Sequence, residues 1–211
     1  MKLLNLLTGG LGNTLIIFAW TLSLSLPLGL FVALGRMSRR APLREPIRMY
    51  ILVMRGTPLI LQIFAVHFLL PSALHIKPNR MHSTIIAFTL NYAAYFAEIY
   101  RGGIMSIERG QYEASKVLGF SRFQTFTRVI LPQVIKRILL PTSNEVITLV
   151  KDTALATVIA VAEVFRAATN EASRTGSIEP LIIAGVFYLI MNTAITRIFD
   201  YIIHKFDYYS T

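Results

Sequence analysis

The sequence contains no cysteine, which excludes disulfide frameworks, thiolate metal sites and cysteine nucleophiles together. It is also poor in charge, with 15% of its 211 residues Asp, Glu, Lys or Arg, against about 25% in soluble domains. Acidic residues are the scarcer sign, 11 against 21 basic ones, for a formal net charge of +10. A basic soluble protein that seeks nucleic acid would be richer in surface charge, so no nucleic-acid partner is expected. The four histidines, His67, His75, His82 and His204, form no close pair of ligand spacing, and no metal site is expected. No lysine follows a glycine anywhere, so the GxxxxGK[ST] phosphate loop is missing and the chain cannot hydrolyse ATP by that route. What remains is apolar: 54% of residues are hydrophobic and the mean hydropathy is +0.56. Those values describe one membrane domain over residues 1–211, with lipid as its surroundings.

A transmembrane helix needs about 20 mostly apolar residues, so the gaps between charges act as a ruler. Nothing is charged between Lys2 and Arg36, Arg55 and Lys77, Arg80 and Glu98, or Glu179 and Arg197. With an apolar stretch interrupted by Glu145, Lys151, Asp152 and Glu163, these gaps predict spans near 11–34, 56–73, 83–101, 140–166 and 180–203. The first is too long for the apolar core of a signal peptide, roughly 7 to 15 residues. The expected fold is an all-α polytopic membrane protein of five spans. Residues 36–55 hold six basic residues and residues 101–137 hold seven, against five in the opposite segments. By the positive-inside rule those two segments face the cytoplasm, the N-terminus is outside and the C-terminus inside.

Residues 102–139 are too long for a simple connection. Residues 110–119 read as a short amphipathic helix ended by Gly119, and a second helix begins at Ser121 as N-cap with Pro132 as its stop. The two would form a coupling protrusion over 110–132. Taken alone, a basic segment lying on anionic lipid fits the same residues. The spacing Glu113-Ala114-Ser115, three residues, Gly119, nine residues, Val129, one residue, Leu131-Pro132 resembles the EAA loop of bacterial ABC importer permeases. Ser115 stands where that family commonly has a second alanine, and Val129 where it has isoleucine. Arg55-Gly56-Thr57-Pro58, the run Ala97 to Ile104, Gly110-Gln111 and Val150 to Leu155 are similar to recurrent segments of the polar amino acid uptake branch. Its "KDTSL" segment stands here as Lys151-Asp152-Thr153-Ala154-Leu155, without the hydroxyl at Ala154.

The resemblance implies a type I ABC importer-like permease in the bacterial inner membrane that carries a polar amino acid by alternating access. It further implies two copies of a cytoplasmic ATPase subunit that bind ATP and Mg, an extracytoplasmic solute-binding protein, and a second permease, identical or similar. No cofactor is expected on this chain. The coupling contact would use Glu113 as carboxylate, Ala114 and Ser115 as a small face, Gly119 for close backbone approach, and Leu118, Phe120 and Phe123 as apolar anchors.

Polar residues at membrane depth default to function. Asn91, Tyr95 and Glu98 fall on one face of the third span, and Glu145, Asp152 and Glu163 on one face of the fourth. Gln62 lies one heptad beyond Arg55. Candidate substrate-path residues are therefore Gln62, Asn91, Tyr95, Glu98 and Glu163, with Glu163 placed to hold an ammonium group. Arg55, Arg101, Lys151 and Asp152 are candidates for structural ion pairs, Arg101 with Glu98 and Arg55 with Glu98 or Asp152. The acidic bias of the path points to a cationic or zwitterionic cargo. Two other classes fit the span pattern less well: an integral membrane enzyme at the cytoplasmic face, which lacks a visible acid, base and nucleophile, and a 5+5 secondary carrier or channel, which leaves the protrusion without a role.

Overall fold

The computed structural model describes residues 2–75 and 77–206, without the side chains of residues 2–4 and 74. Helix α1 (Lys2–Arg36) is followed by α2 (Ala41–Gly56), a helix where the sequence suggested only a basic connection. A 112° bend at Thr57 and Pro58 leads into α3 (residues 59–74). Then come α4 (Arg80–Met105), α5 (Arg109–Val117) and α6 (residues 122–152). A 3-10 turn over Thr153–Ile159 precedes α7 (Val164–Thr175) and α8 (Glu179–Phe206). No strand occurs among the described residues.

Helices α1 and α8 are each long and apolar enough to cross a membrane, and the bent pair α2–α3 joins them if it counts as one span. Helix α4 fails that test for a physical reason: it lies in the middle of the bundle against α1 and α6, where protein rather than lipid surrounds it. Ser83, Thr84, Thr89 and Asn91 are buried there beside Phe88, Tyr92 and Phe96. The rings of Phe88, Tyr92, Phe96 and Tyr100, four residues apart, follow one another at 6.2–6.5 Å between centroids.

Small residues let α1 approach this core. A Cβ on Gly29 would lie 2.8 Å from Cβ of Phe96 and 3.1 Å from the carbonyl oxygen of Ala93. One of those neighbours is backbone and cannot swing away. Gly29→Val is therefore expected to cost about 1–3 kcal/mol of overpacking. A drop of several degrees in the thermal midpoint in detergent would register it, whereas Gly185→Ala, which meets nothing within 4 Å, leaves the midpoint in place.

Two sequence expectations change. Pro132 does not stop a helix. A π-turn over Thr125–Ile130 precedes it, so the missing N–H and the bulk of the ring are absorbed and α6 runs on to Asp152. The same device, a π-turn over Ala65–Leu69, precedes Pro71 in α3. Second, residues 140–166 are not one helix. The chain leaves α-geometry at Thr153, turns through Ala160 in the left-handed region (φ 63°) and restarts at Val164. Partners on α1 hold the break: Asn13 Nδ2 donates to the carbonyl of Ala162 at 2.7 Å, and the N–H of Val164 donates to Thr14 Oγ1 at 3.2 Å.

Candidate functional site

The residues singled out by sequence separate into four places. At the protrusion, α5 ends in a Schellman motif: the N–H of Phe120 donates to the carbonyl of Ser115 and that of Gly119 to the carbonyl of Lys116, both at 3.0 Å. Gly119 sits at φ 78°, the left-handed conformation that glycine accepts without cost. Ser121 and Gln124 then form a capping box, with the Gln124 N–H donating to Ser121 Oγ and the Ser121 N–H to Gln124 Oε1. The elbow is thus fixed by local hydrogen bonds. Below it, Ile107, Ile130 and Val134 form a small core, and Gln133 Nε2 reaches Gln111 Oε1 at 3.3 Å.

The exposed side chains of the protrusion include three large apolar ones. Leu118 is 72% exposed, Phe123 77% and Val117 88%. Val117 was not singled out by sequence; its position one residue before Leu118 on the last turn is the signal that could have found it. Glu113 and Ala114 are exposed and Phe120 half-buried. Ser115 turns inward instead of joining the contact face: it is 3% exposed and its hydroxyl donates to the carbonyl of Gln111 at 2.7 Å.

At the bend between α2 and α3, Gln62 and Asn91 act together. Gln62 Nε2 donates to the carbonyl of Met54 at 2.9 Å and to the carbonyl and hydroxyl of Thr57 at 3.1 and 2.9 Å. Asn91 Nδ2 donates to the Met54 carbonyl at 3.0 Å and to Gln62 Oε1 at 2.9 Å. The bend frees backbone carbonyls that a straight helix would pair, and these two amides satisfy them. The amide of Gln62 thus holds the bend.

The bend also opens a cavity of about 390 Å³ lined by Thr57, Asn91, Tyr92, Tyr95, Glu145 and Asp152, among others. Tyr92 donates its hydroxyl to Asp152 Oδ2 at 2.7 Å. Glu145 and Asp152 lie seven residues apart on α6 and share this cavity. Sequence periodicity places Glu145 on the right face, but it places Glu163 there equally. Asp152 is therefore a cavity residue bonded to a tyrosine rather than an ion-pair partner of Arg55. Lys151 is exposed and forms no ion pair among the described residues.

Glu98 is held by Arg101, whose Nε and Nη2 donate to Oε1 and Oε2 at 3.0 and 2.7 Å. Arg55 lies 3.8 Å from the same carboxylate and stacks over Tyr95, 5.3 Å from its ring centroid.

Glu163 lies elsewhere, 0% exposed, as the N-cap of α7. Its oxygens accept from the N–H groups of Phe165 and Arg166 at 2.7 and 2.6 Å and from Tyr188 Oη at 2.9 Å. Arg166 directs its guanidinium to the Thr157 carbonyl at 3.0 Å, across the break. With three donors on a fully buried carboxylate, Glu163 caps the helix that restarts at Val164. Glu163→Gln would set an amide NH2 against buried N–H donors, with an expected loss of about 1–3 kcal/mol. The measurement is the yield and thermal midpoint of the purified protein; wild-type values for both would refute the capping role.

The chain resembles known proteins along most of its length. Over 169 residues the chain is 40% identical to the L-cystine transport system permease protein TcyB of Bacillus subtilis (strain 168), covering 80% of this chain and 72% of that one. Over 190 residues it is 38% identical to the arginine transport system permease protein ArtQ of the same organism, covering 90% and 87%. The solved structure described as an amino acid ABC transporter with histidines superposes with a TM-score of 0.88 at 32% identity, over 97% of this chain and 95% of that one. Residues 25–208 match, as one stretch, the family described as the binding-protein-dependent transport system inner membrane component. The chain belongs to that family, as a membrane-embedded permease subunit of a bacterial ABC importer whose ATPase is a separate subunit.

Proposed function

We propose that the cargo is a polar amino acid and that it passes through the cavity between the α2–α3 bend, α4 and α6. The observation that carries this is the pair of carboxylates, Glu145 and Asp152, on one wall of a 390 Å³ space that tyrosine and threonine hydroxyls also line. A cavity of that kind suits a cationic or zwitterionic small molecule. That TcyB is named for L-cystine and ArtQ for arginine agrees with the class.

The chain crosses the membrane five times in this proposal: α1, α3 beyond the bend, α4, the second half of α6 with its 3-10 extension, and α8. Arg36 to Arg55 and Arg101 to Arg137 then face the cytoplasm, with the N-terminus outside and the C-terminus inside. The apolar tip Val117, Leu118 and Phe123 projects into the cytoplasm and docks in a surface cleft of the ATPase subunit. One chain encloses only half a path, so a second permease, identical or similar, completes it, and two ATPases drive the pair between inward-facing and outward-facing states. An extracytoplasmic solute-binding protein delivers cargo to the outer face.

Reconstitution with the cognate ATPase and solute-binding protein in liposomes tests the cargo class. Uptake of labelled L-arginine, L-glutamine or L-cystine that requires both ATP and the binding protein is the expected outcome. Binding-protein-stimulated ATP hydrolysis without uptake of any amino acid would overturn it.

A further inference from the structure

Two cavities meet at one side chain. Tyr95 lines the acidic cavity and also a second one of about 450 Å³, whose walls carry Arg36, Arg48, Arg55 and Glu98. The sign of the charge inverts across that tyrosine. Arg36 lies in the last turn of α1, and Arg48 and Arg55, seven residues apart, share a face of α2. Glu98 does little to neutralise them, because Arg101 already engages both of its oxygens. Glu45, the other carboxylate nearby, lies 3.6 Å from Arg48 but 2.8 Å from Arg44. Four guanidiniums thus share two carboxylates, and a fifth, that of Arg36, forms no ion pair among the described residues.

Such an excess beside a polar cavity marks an oxyanion site. We propose that it is a vestibule that takes the carboxylate of the amino acid as the cargo leaves the acidic cavity past Tyr95. This inference rests on the amino-acid cargo proposed above. A zwitterion carries both signs, so Glu145 and Asp152 can hold its ammonium end while the arginines draw its carboxylate end onward. The Arg55–Tyr95 stack lies on the boundary between the two cavities. A phospholipid phosphate offers similar oxygens, but the wall shared with the cargo cavity favours cargo.

The test compares the wild-type complex with Arg36→Gln/Arg48→Gln in liposomes of neutral and of anionic lipid, using whichever of L-arginine, L-glutamine and L-cystine the wild type takes up. Arg55 is left in place because it packs on Tyr95. The expected result is at least a threefold fall in cargo moved per ATP hydrolysed, in both lipids, with co-purification of the ATPase subunit intact. Arg36→Lys/Arg48→Lys should restore most of that ratio. An unchanged ratio in the glutamine variant would overturn the proposal, and so would a fall confined to anionic vesicles, which would assign the arginines to lipid. If the wild type takes up no amino acid, the cargo class and this inference fall together, and that failure is visible before any variant is made.

Discussion

Leu118→Asp/Phe123→Asp is expected to strip the ATPase subunit from the complex and abolish uptake, while leaving the permease folded. The two side chains are 72% and 77% exposed and belong to none of the hydrophobic clusters among the described residues, so the fold does not depend on them. Burying a leucine or phenylalanine in a partner's cleft contributes roughly 1.5–3 kcal/mol each, and aspartate replaces that gain with a desolvation cost. Two such losses predict at least a 100-fold weaker association, since every 1.4 kcal/mol is about tenfold. The measurement is co-purification of the tagged ATPase subunit together with the thermal midpoint of the permease alone. Full retention of the ATPase would remove the tip from the docking surface. Gly119→Val should give a smaller loss of the same kind, because a β-branched residue at φ 78° disfavours the elbow that aims the tip.

The elbow of the protrusion was legible in the sequence because what shapes it is local. Gly119, Ser121 and Gln124 set the elbow within six residues, and each acts through a backbone preference that a sequence displays. The break after Asp152 was not legible for the opposite reason. No glycine or proline falls between Lys151 and Arg174, and the groups that hold the chain open, Asn13 and Thr14, lie 149 and 150 residues away from their partners. Periodicity therefore carried Glu163 onto the face of Glu145 and Asp152, although the backbone leaves α-geometry between them. Gln62 and Asn91 were recognised as polar residues at depth, but their work depends on the 112° bend, which a Thr-Pro pair permits without specifying.

These cases share a cause. A polar residue in an apolar helix can line a cavity, repair the backbone or, like Asn91, do both, and sequence separates the two roles only when the backbone is straight. Here the bend, the 3-10 turn and the π-turns all release hydrogen-bonding groups. Gln62, Asn91, Glu163 and Arg166 are drawn to them. Once those are set aside, the carboxylates left to face the cavity at the α2–α3 bend are Glu145 and Asp152.

Glu145→Gln/Asp152→Asn is expected to lower amino-acid uptake at least 100-fold with assembly intact. Hydrogen bonds to charged groups contribute about 1.5–3 kcal/mol each, so losing both carboxylates removes roughly two tenfold factors or more from the hold on a substrate ammonium. The near-isosteric amides keep the volume of the cavity, and the amide oxygen that replaces the Asp152 carboxylate can still accept from the hydroxyl of Tyr92, so the α4–α6 contact survives. Tyr92→Phe separates positioning from charge: it leaves both carboxylates but frees Asp152 to turn, and should cost clearly less than the double variant. Uptake by liposomes that contain the binding protein and internal ATP provides the measurement, with ATPase co-purification as the control. If uptake by the double variant matches the wild type, the cargo does not contact these carboxylates, and the cavity at the bend is a packing defect of a kinked helix rather than a path.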